Sequence, residues 1–193
     1  KRFAEDFFKS NLSDKIPLGN FYSLENLIIA FSLLIHDGAK VLDAGCGQGK
    51  LLWYLAHNPN IQLYGIDIYK SVFHKTVLKD VDSKLLQHIK LLKADICHTE
   101  FQDHFFDIIF TNMVLHHIPQ PAQVFLEIQR ILKPGGKWVI IDFYEHNKKH
   151  MQEKYKDYWS GFRIEQLESY AKKAHLKLKA HYLIPQPSLE GEE

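Results

Sequence analysis

The nine residues Val41-Leu42-Asp43-Ala44-Gly45-Cys46-Gly47-Gln48-Gly49 constrain the fold of this chain more than any other stretch. An apolar run closes on an acid and then on alternating glycines. Such a run reads as a buried strand. Glycine at each second position lets the backbone turn at positive φ and admits a ligand to atoms that a Cβ would shield. The shape suits a nucleotide-like cofactor. A dinucleotide fingerprint needs its third glycine after a two-residue gap, where this chain has Lys50. Asp43, just before the first glycine, repels a pyrophosphate and attracts a cation, so Lys50 and Asp43 together argue against a nicotinamide oxidoreductase.

Further apolar runs end in acids downstream. Ile61–Asp67 places Asp67 about twenty residues past the glycines, the spacing of a ribose-binding carboxylate. The run Ile89–Ile96 ends in Asp95, which can accept from an adenine amino group, with the Ile96 amide as a donor. Phe106–His117 reads as another strand and loop, and Leu132–Asp142 as a turn, Leu132-Lys133-Pro134-Gly135-Gly136, feeding a further strand. Helical patterns over Lys50–His57, Ser71–Leu86 and Ala122–Leu132, the last with Pro121 at its opening turn, separate these runs. Alternating strands and helices, with strands apolar throughout, predict an α/β fold: a doubly wound, Rossmann-like parallel sheet with its ligand at the carboxyl ends of the strands.

On these motifs, in this order, the chain resembles the class I S-adenosylmethionine-dependent methyltransferases over roughly Lys40 to Leu178. The resemblance implies S-adenosylmethionine as cofactor, S-adenosylhomocysteine as product and a methyl acceptor as substrate. It assigns Asp43, Ala44, Gly45, Cys46, Gly47 and Gly49 to the methionine part, Asp67 and Ile68 to the ribose, and Asp95 and Ile96 to the adenine. Asn112 and Met113, just past the fourth strand, line the methionine or the transferred methyl group. A narrower likeness, in Asp142-Phe143-Tyr144-Glu145-His146 and Tyr158-Trp159-Ser160-Gly161-Phe162, is to methyltransferase domains fused behind arsenical-repressor-type winged helices.

Composition sets the bounds. With 193 residues and 46% apolar content the chain can bury one substantial core, and a second full domain does not fit. The formal charge of +1 offers no broad basic field for nucleic acid. Cys46 and Cys97 stand outside any metal-type spacing, and no metal site is expected. A reduced, cytoplasmic setting follows, with no signal peptide or membrane span. Because the chain begins at Lys1, upstream residues or a further module stay open, as does a homodimer. Residues 1–38 read as a helical lid or packing segment, with Leu24, Leu27, Ile28, Phe31, Leu34 and Ile35 at helical spacing. Phe3, Phe7, Phe8, Phe21 and Tyr22 serve that lid. Residues 39–184 form the core, including helices over Lys148–Tyr158 and Glu165–His175 and a strand over Leu176–Ile184. Residues 185–193 are a flexible acidic tail, and the last antiparallel strand of the family is expected to be missing.

Methyl transfer is an in-line displacement that positioning and desolvation can drive, so no nucleophile on the protein is needed. The acceptor has weaker signatures. An Asn or Asp followed by two prolines and an aromatic, which marks methylation of DNA-base amines, is absent after Asn112. Two cysteines are too few for arsenite. His116, beside His117, either removes a proton from a hydroxyl or thiol acceptor or is a packed structural histidine. Tyr144 and His146 sit beyond the fifth strand, where the acceptor should lie, and serve either as catalytic groups or to orient the next helix. Trp159 and Phe162 wall the acceptor pocket or fill the core. A noncatalytic module that binds the cofactor and reports to an attached DNA-binding or partner domain is the competing function.

Overall fold

Parallel pairing dominates the structure, a computed structural model that describes residues 34–69, 87–147, 152 and 154–183. Its strands are β1 (Lys40–Ala44), β2 (Gln62–Asp67), β3 (Ile89–Lys93), β4 (Phe106–Asn112) and β5 (Leu132–Ile141). They lie in the order β3-β2-β1-β4-β5, and every neighbouring pair is parallel. The doubly wound α/β fold expected from the sequence is present. Central β1 is buried from Val41 to Ala44 on both faces, as its unbroken apolar run requires. Edge strand β3 instead exposes Lys90, Leu92 and Lys93, and charge on an open edge blocks pairing with another chain.

Among the described residues, short helices follow β1, precede β5 and follow β5. Helix α1 (Lys50–Leu55) starts directly at the glycines and buries Leu51, Leu52 and Leu55. Helix α2 (Pro121–Ile131) opens with proline, which has no amide hydrogen to leave unsatisfied there, and turns Val124, Phe125, Ile128 and Ile131 into the core. Helix α3 (Ile164–Lys173) carries Glu165 in its first turn and Lys172 and Lys173 in its last, complementing the helix dipole. Its Tyr170 ring meets Phe125 of α2 at 5.5 Å.

Leu132–Gly136, read from sequence as a turn, is part of β5, but with slack. Phe106 pairs Leu132 and Ile108 pairs Lys137, so the extra residues bulge out before the ladder resumes. A second difference concerns Leu176–Ile184, expected as a strand. Its described residues, 176–183, belong to no strand, because a strand exists only through a ladder and β5 pairs β4 alone among the described residues. The expected helix over Leu24–Ile35 lies almost wholly, and that over Ser71–Leu86 entirely, outside the described residues, as do the five early aromatics and the acidic tail.

Residues His36–Leu178 form one compact unit; Lys1–Ile35 with Lys179–Glu193 form another, of which only Leu34, Ile35 and residues 179–183 are described. Within the first, strand order reverses between β1 and β4. The crevice at their carboxyl ends is where a doubly wound sheet presents its ligand site.

Candidate active site

The loop leaving β1 is built by glycine. Gly45, Gly47 and Gly49 all take positive φ, +82°, +50° and +80°. Gly45 N–H and Cys46 N–H both donate to the Ile66 carbonyl, at 2.8 and 2.9 Å, fastening the loop to the end of β2. A Cβ on Gly45 would run into the Val114 side chain, so the segment after β4 presses directly on the loop. At Gly47 a Cβ would meet no atom of the described residues within 4 Å. The loop is therefore clamped at its base and open at its crest.

Acids surround that crest. Asp67 Oδ2 accepts the Gly47 N–H at 3.0 Å and Oδ1 accepts the Tyr69 N–H at 2.9 Å. A carboxylate has about four lone-pair positions, so two donors leave room for a pair of hydroxyls. Asp43 is buried at the end of β1, and desolvation, reinforced by the charge of Asp67, pushes its pKa up to about 7. Burial, with Asp43 and Asp67 close by, drives the Cys46 thiol far above its ordinary range, making it a packing group rather than a nucleophile. Ala94 N–H donates to the Asp67 carbonyl at 3.1 Å, which brings Asp95 to the same sheet edge. There Asp95 Oδ1 accepts the Cys97 N–H at 2.8 Å. Ile96 buries its side chain in the core and Ile68 exposes its own.

Past β4 the backbone is strained. Met113 takes φ +57° and donates its N–H to the Ile141 carbonyl at 2.8 Å. Asn112 Oδ1 is buried and, among the described residues, has no hydrogen-bond partner, an acceptor awaiting a donor.

The acceptor-side candidates gather where β5 ends. Asp142 Oδ2 accepts the Leu115 N–H at 2.9 Å, and Oδ1 accepts the Phe143 N–H at 2.8 Å and lies 2.7 Å from His116 Nδ1. His116, in a 3-10 turn over Leu115–His117, is 3% exposed. The Phe143 ring stands between two of the histidines, 5.1 Å from His116 and 5.6 Å from His146. Tyr144 bridges Phe162 and leaves its side chain half exposed. His146 N–H donates to the Ser160 carbonyl and Phe162 N–H to the Phe143 carbonyl, both at 2.9 Å. The two motifs of the narrower sequence likeness therefore lie side by side. Phe162 belongs to the core, whereas Trp159 packs against it and donates Nε1–H to the Ile118 carbonyl at 2.9 Å. Trp159 also lines a cleft of about 800 Å³ with Glu145, Tyr158, Arg163 and Gln166. No residue of the glycine loop lines that cleft, which opens beside the candidates expected on the acceptor side.

The sequence reading gave two groups at this edge no role. Asp142 had a signal, since it ends an apolar strand as Asp43 and Asp67 do. Asp157, facing the His116–His117 pair, had none.

Comparison with known proteins identifies the family, since the "Methyltransferase domain" family matches residues 35–183. The chain belongs to the methyltransferase-domain family. It is 32% identical over 111 residues to phosphoethanolamine N-methyltransferase 1 of Zea mays, covering 58% of this chain and 22% of that protein. It is also 32% identical over 119 residues to a sterol 4-C-methyltransferase of Caenorhabditis elegans, covering 62% and 35%. Across such curated relatives the chain spans 22% to 41% of their length. Among solved structures it is similar to phosphoethanolamine N-methyltransferase 2 of Haemonchus contortus in complex with S-adenosyl-L-methionine. That match has a TM-score of 0.65 and 27% identity, covering 77% of this chain and 36% of that one. The [4+2]-cyclase SpnF superposes with a TM-score of 0.67 at 21% identity, covering 78% and 56%. A cyclase on the same fold means that the residues, not the fold, must argue the reaction.

Proposed function

We propose that this methyltransferase domain moves a methyl group from S-adenosylmethionine to a small-molecule acceptor and releases S-adenosylhomocysteine. The observation that carries the reading is the open crest at Gly47, hydrogen-bonded to an Asp67 carboxylate with lone pairs to spare and backed by buried Asp43. These residues fit the cofactor. Asp67 takes the ribose hydroxyls, Asp95 and the Ile96 amide the adenine, and the Asp43–Gly49 loop the methionine part, with Asn112 Oδ1 an available acceptor beside it. When bound, the cofactor supplies an electrophilic sulfonium methyl, which needs no protein nucleophile. The chain supplies position, desolvation and, from His146 or Tyr144 at the acceptor edge, a place for a departing proton. His116, with both ring nitrogens facing carboxylates, stiffens this edge.

The amine and carbon methylations named for the relatives favour acceptors of those kinds. Incubation with methyl-labelled cofactor and a panel including phosphoethanolamine and sterols should release S-adenosylhomocysteine with at least one of them. Tight cofactor binding without release across the panel would instead support the sensor function, the reading under which a winged-helix partner domain matters most. Among the described residues no helix is long and apolar enough to cross a membrane, and both cysteines are free thiols, which supports a reduced, cytoplasmic setting.

Asp67→Ala should weaken S-adenosylmethionine binding by about 1.5–3 kcal/mol, the scale of charged hydrogen bonds lost from one side. Calorimetry reads this directly. An unchanged affinity removes Asp67 from the site.

A further inference from the structure

We propose that His116, His117 and Asp157 form a binding site for a zinc-type divalent cation, with Asp142 orienting His116 from behind. One ring nitrogen from each histidine and one carboxylate oxygen of Asp157 all lie within 4.8 Å of one another. His117 Nδ1 stands 2.8 Å from Asp157 Oδ1, and His116 Nε2 stands 3.9 Å from the same oxygen. An ion with metal–ligand bonds of about 2.0–2.2 Å holds tetrahedral ligands roughly 3.3–3.6 Å apart. The observed separations straddle that spacing, so small side-chain rotations complete the site.

Two features make a cation the better occupant than a proton. Asp142 Oδ1 lies 2.7 Å from His116 Nδ1 and, as a carboxylate, can only accept, so the neutral ring keeps its hydrogen on Nδ1 and turns the Nε2 lone pair toward Asp157. At 3.9 Å that gap is too wide for a hydrogen bond, even if His116 were doubly protonated. Asp157 is also only 7% exposed, and among the described residues its Oδ1 has His117 Nδ1 at 2.8 Å as its near neighbour. A cation held between this buried carboxylate oxygen and the two imidazole nitrogens would neutralise the carboxylate and take up the His116 Nε2 lone pair together, which a proton shared with His117 alone does not do. The carboxylate–histidine pair behind the ligands is the arrangement that fixes the tautomer of a metal-bound imidazole. Two nitrogens and one carboxylate oxygen suit Zn²⁺ or Co²⁺ better than Mg²⁺ or Ca²⁺. His117 is 51% exposed, which gives the ion a path in and leaves a fourth position to water.

The site joins the turn after β4 to the residue preceding Tyr158 and Trp159, both of which line the acceptor-side cleft. Its role is a tether. Tyr158 N–H and Trp159 N–H already donate to the His116 carbonyl, at 3.0 and 3.1 Å, and the ion would lock the side chains of the same junction. The inference stands on this cluster alone and does not require the methyltransferase reading.

The test uses the whole chain, stripped with chelator and titrated with Zn²⁺ and with Co²⁺. One equivalent of Co²⁺ should bind with the visible absorption of a four- or five-coordinate ion and without a thiolate charge-transfer band, and Zn²⁺ should displace it. His117→Ala and Asp157→Asn should each weaken binding at least a hundredfold, whereas His57→Ala, at an exposed histidine elsewhere, should not. Circular dichroism and thermal melting of the same samples report whether each variant is folded. Failure of the wild-type chain to bind an equivalent of either ion, or retention of binding in folded His117→Ala, overturns the site.

Discussion

Asp43→Asn should make the cofactor-free chain more stable at pH 8 while weakening its hold on S-adenosylmethionine. Both effects come from one buried carboxylate. Asp43 is moved from 3.8 to about 7, first by desolvation and then by the charge of Asp67. The folded state thus binds a proton that the unfolded chain has already released. That contribution is full below the unfolded value and is lost as pH rises through 7. At about 1.4 kcal/mol per unit the loss is on the order of 4 kcal/mol as an upper bound. A buried asparagine amide gives back about 1–3 kcal/mol where it lacks partners, so the net gain at pH 8 is on the order of 1–3 kcal/mol. Denaturation from pH 4 to 8 should show wild-type stability falling relative to the variant, and parallel curves would refute the assignment. Cofactor binding runs the other way. A cation beside Asp43 favours its ionised form, so wild-type affinity should fall toward about tenfold per unit below pH 7. The asparagine variant should be flat over that range and about ten- to a hundredfold weaker at pH 8.

This tension between stability and binding sits at a position the sequence marks openly. Asp43 before the glycines, Asp67 at the end of β2 and the alternation of strands and helices are local signals, and a doubly wound parallel sheet follows from them through the rules of parallel connections. The acceptor edge is legible only in pieces. Asp142-Phe143-Tyr144-Glu145-His146 and Tyr158-Trp159-Ser160-Gly161-Phe162 stand out as motifs, but their adjacency rests on long-range bonds such as His146 N–H to the Ser160 carbonyl. Asp157 is harder still, because its meaning lies in the two histidines facing it across the fold. The expectation of a strand over Leu176–Ile184 failed for the same reason in reverse. Alternating apolar residues supply the propensity for a strand, but a ladder also needs a neighbouring edge, which no window of sequence can supply.

Gly161 turns that long-range adjacency into a measurable effect. It holds φ +87°, and a Cβ there would stand 2.5 Å from the Tyr144 carbonyl oxygen and 2.7 Å from that of Phe143. These are backbone atoms, so no rotamer change relieves the clash. Gly161→Ala must push the two segments apart, breaking the bonds from Phe162 N–H to Phe143 and from His146 N–H to Ser160. It adds about 1–2 kcal/mol of left-handed backbone strain. The damage is confined to the acceptor edge, since the glycine loop, Asp67 and Asp95 hang from β1, β2 and β3. Turnover should therefore fall about a hundredfold or more, as misplaced reacting groups require. Cofactor affinity should stay within about threefold, below one tenfold step of binding energy. Gly47→Ala is the converse variant. Its Cβ meets no atom of the described residues within 4 Å but projects from the crest proposed to hold the cofactor, so affinity should fall while the fold survives. Hydrogen exchange should show faster amides at His146 and Phe162 in the first variant only. Loss of cofactor affinity together with turnover in Gly161→Ala would mean that the two halves of the site do not separate along the sheet as the strand order implies.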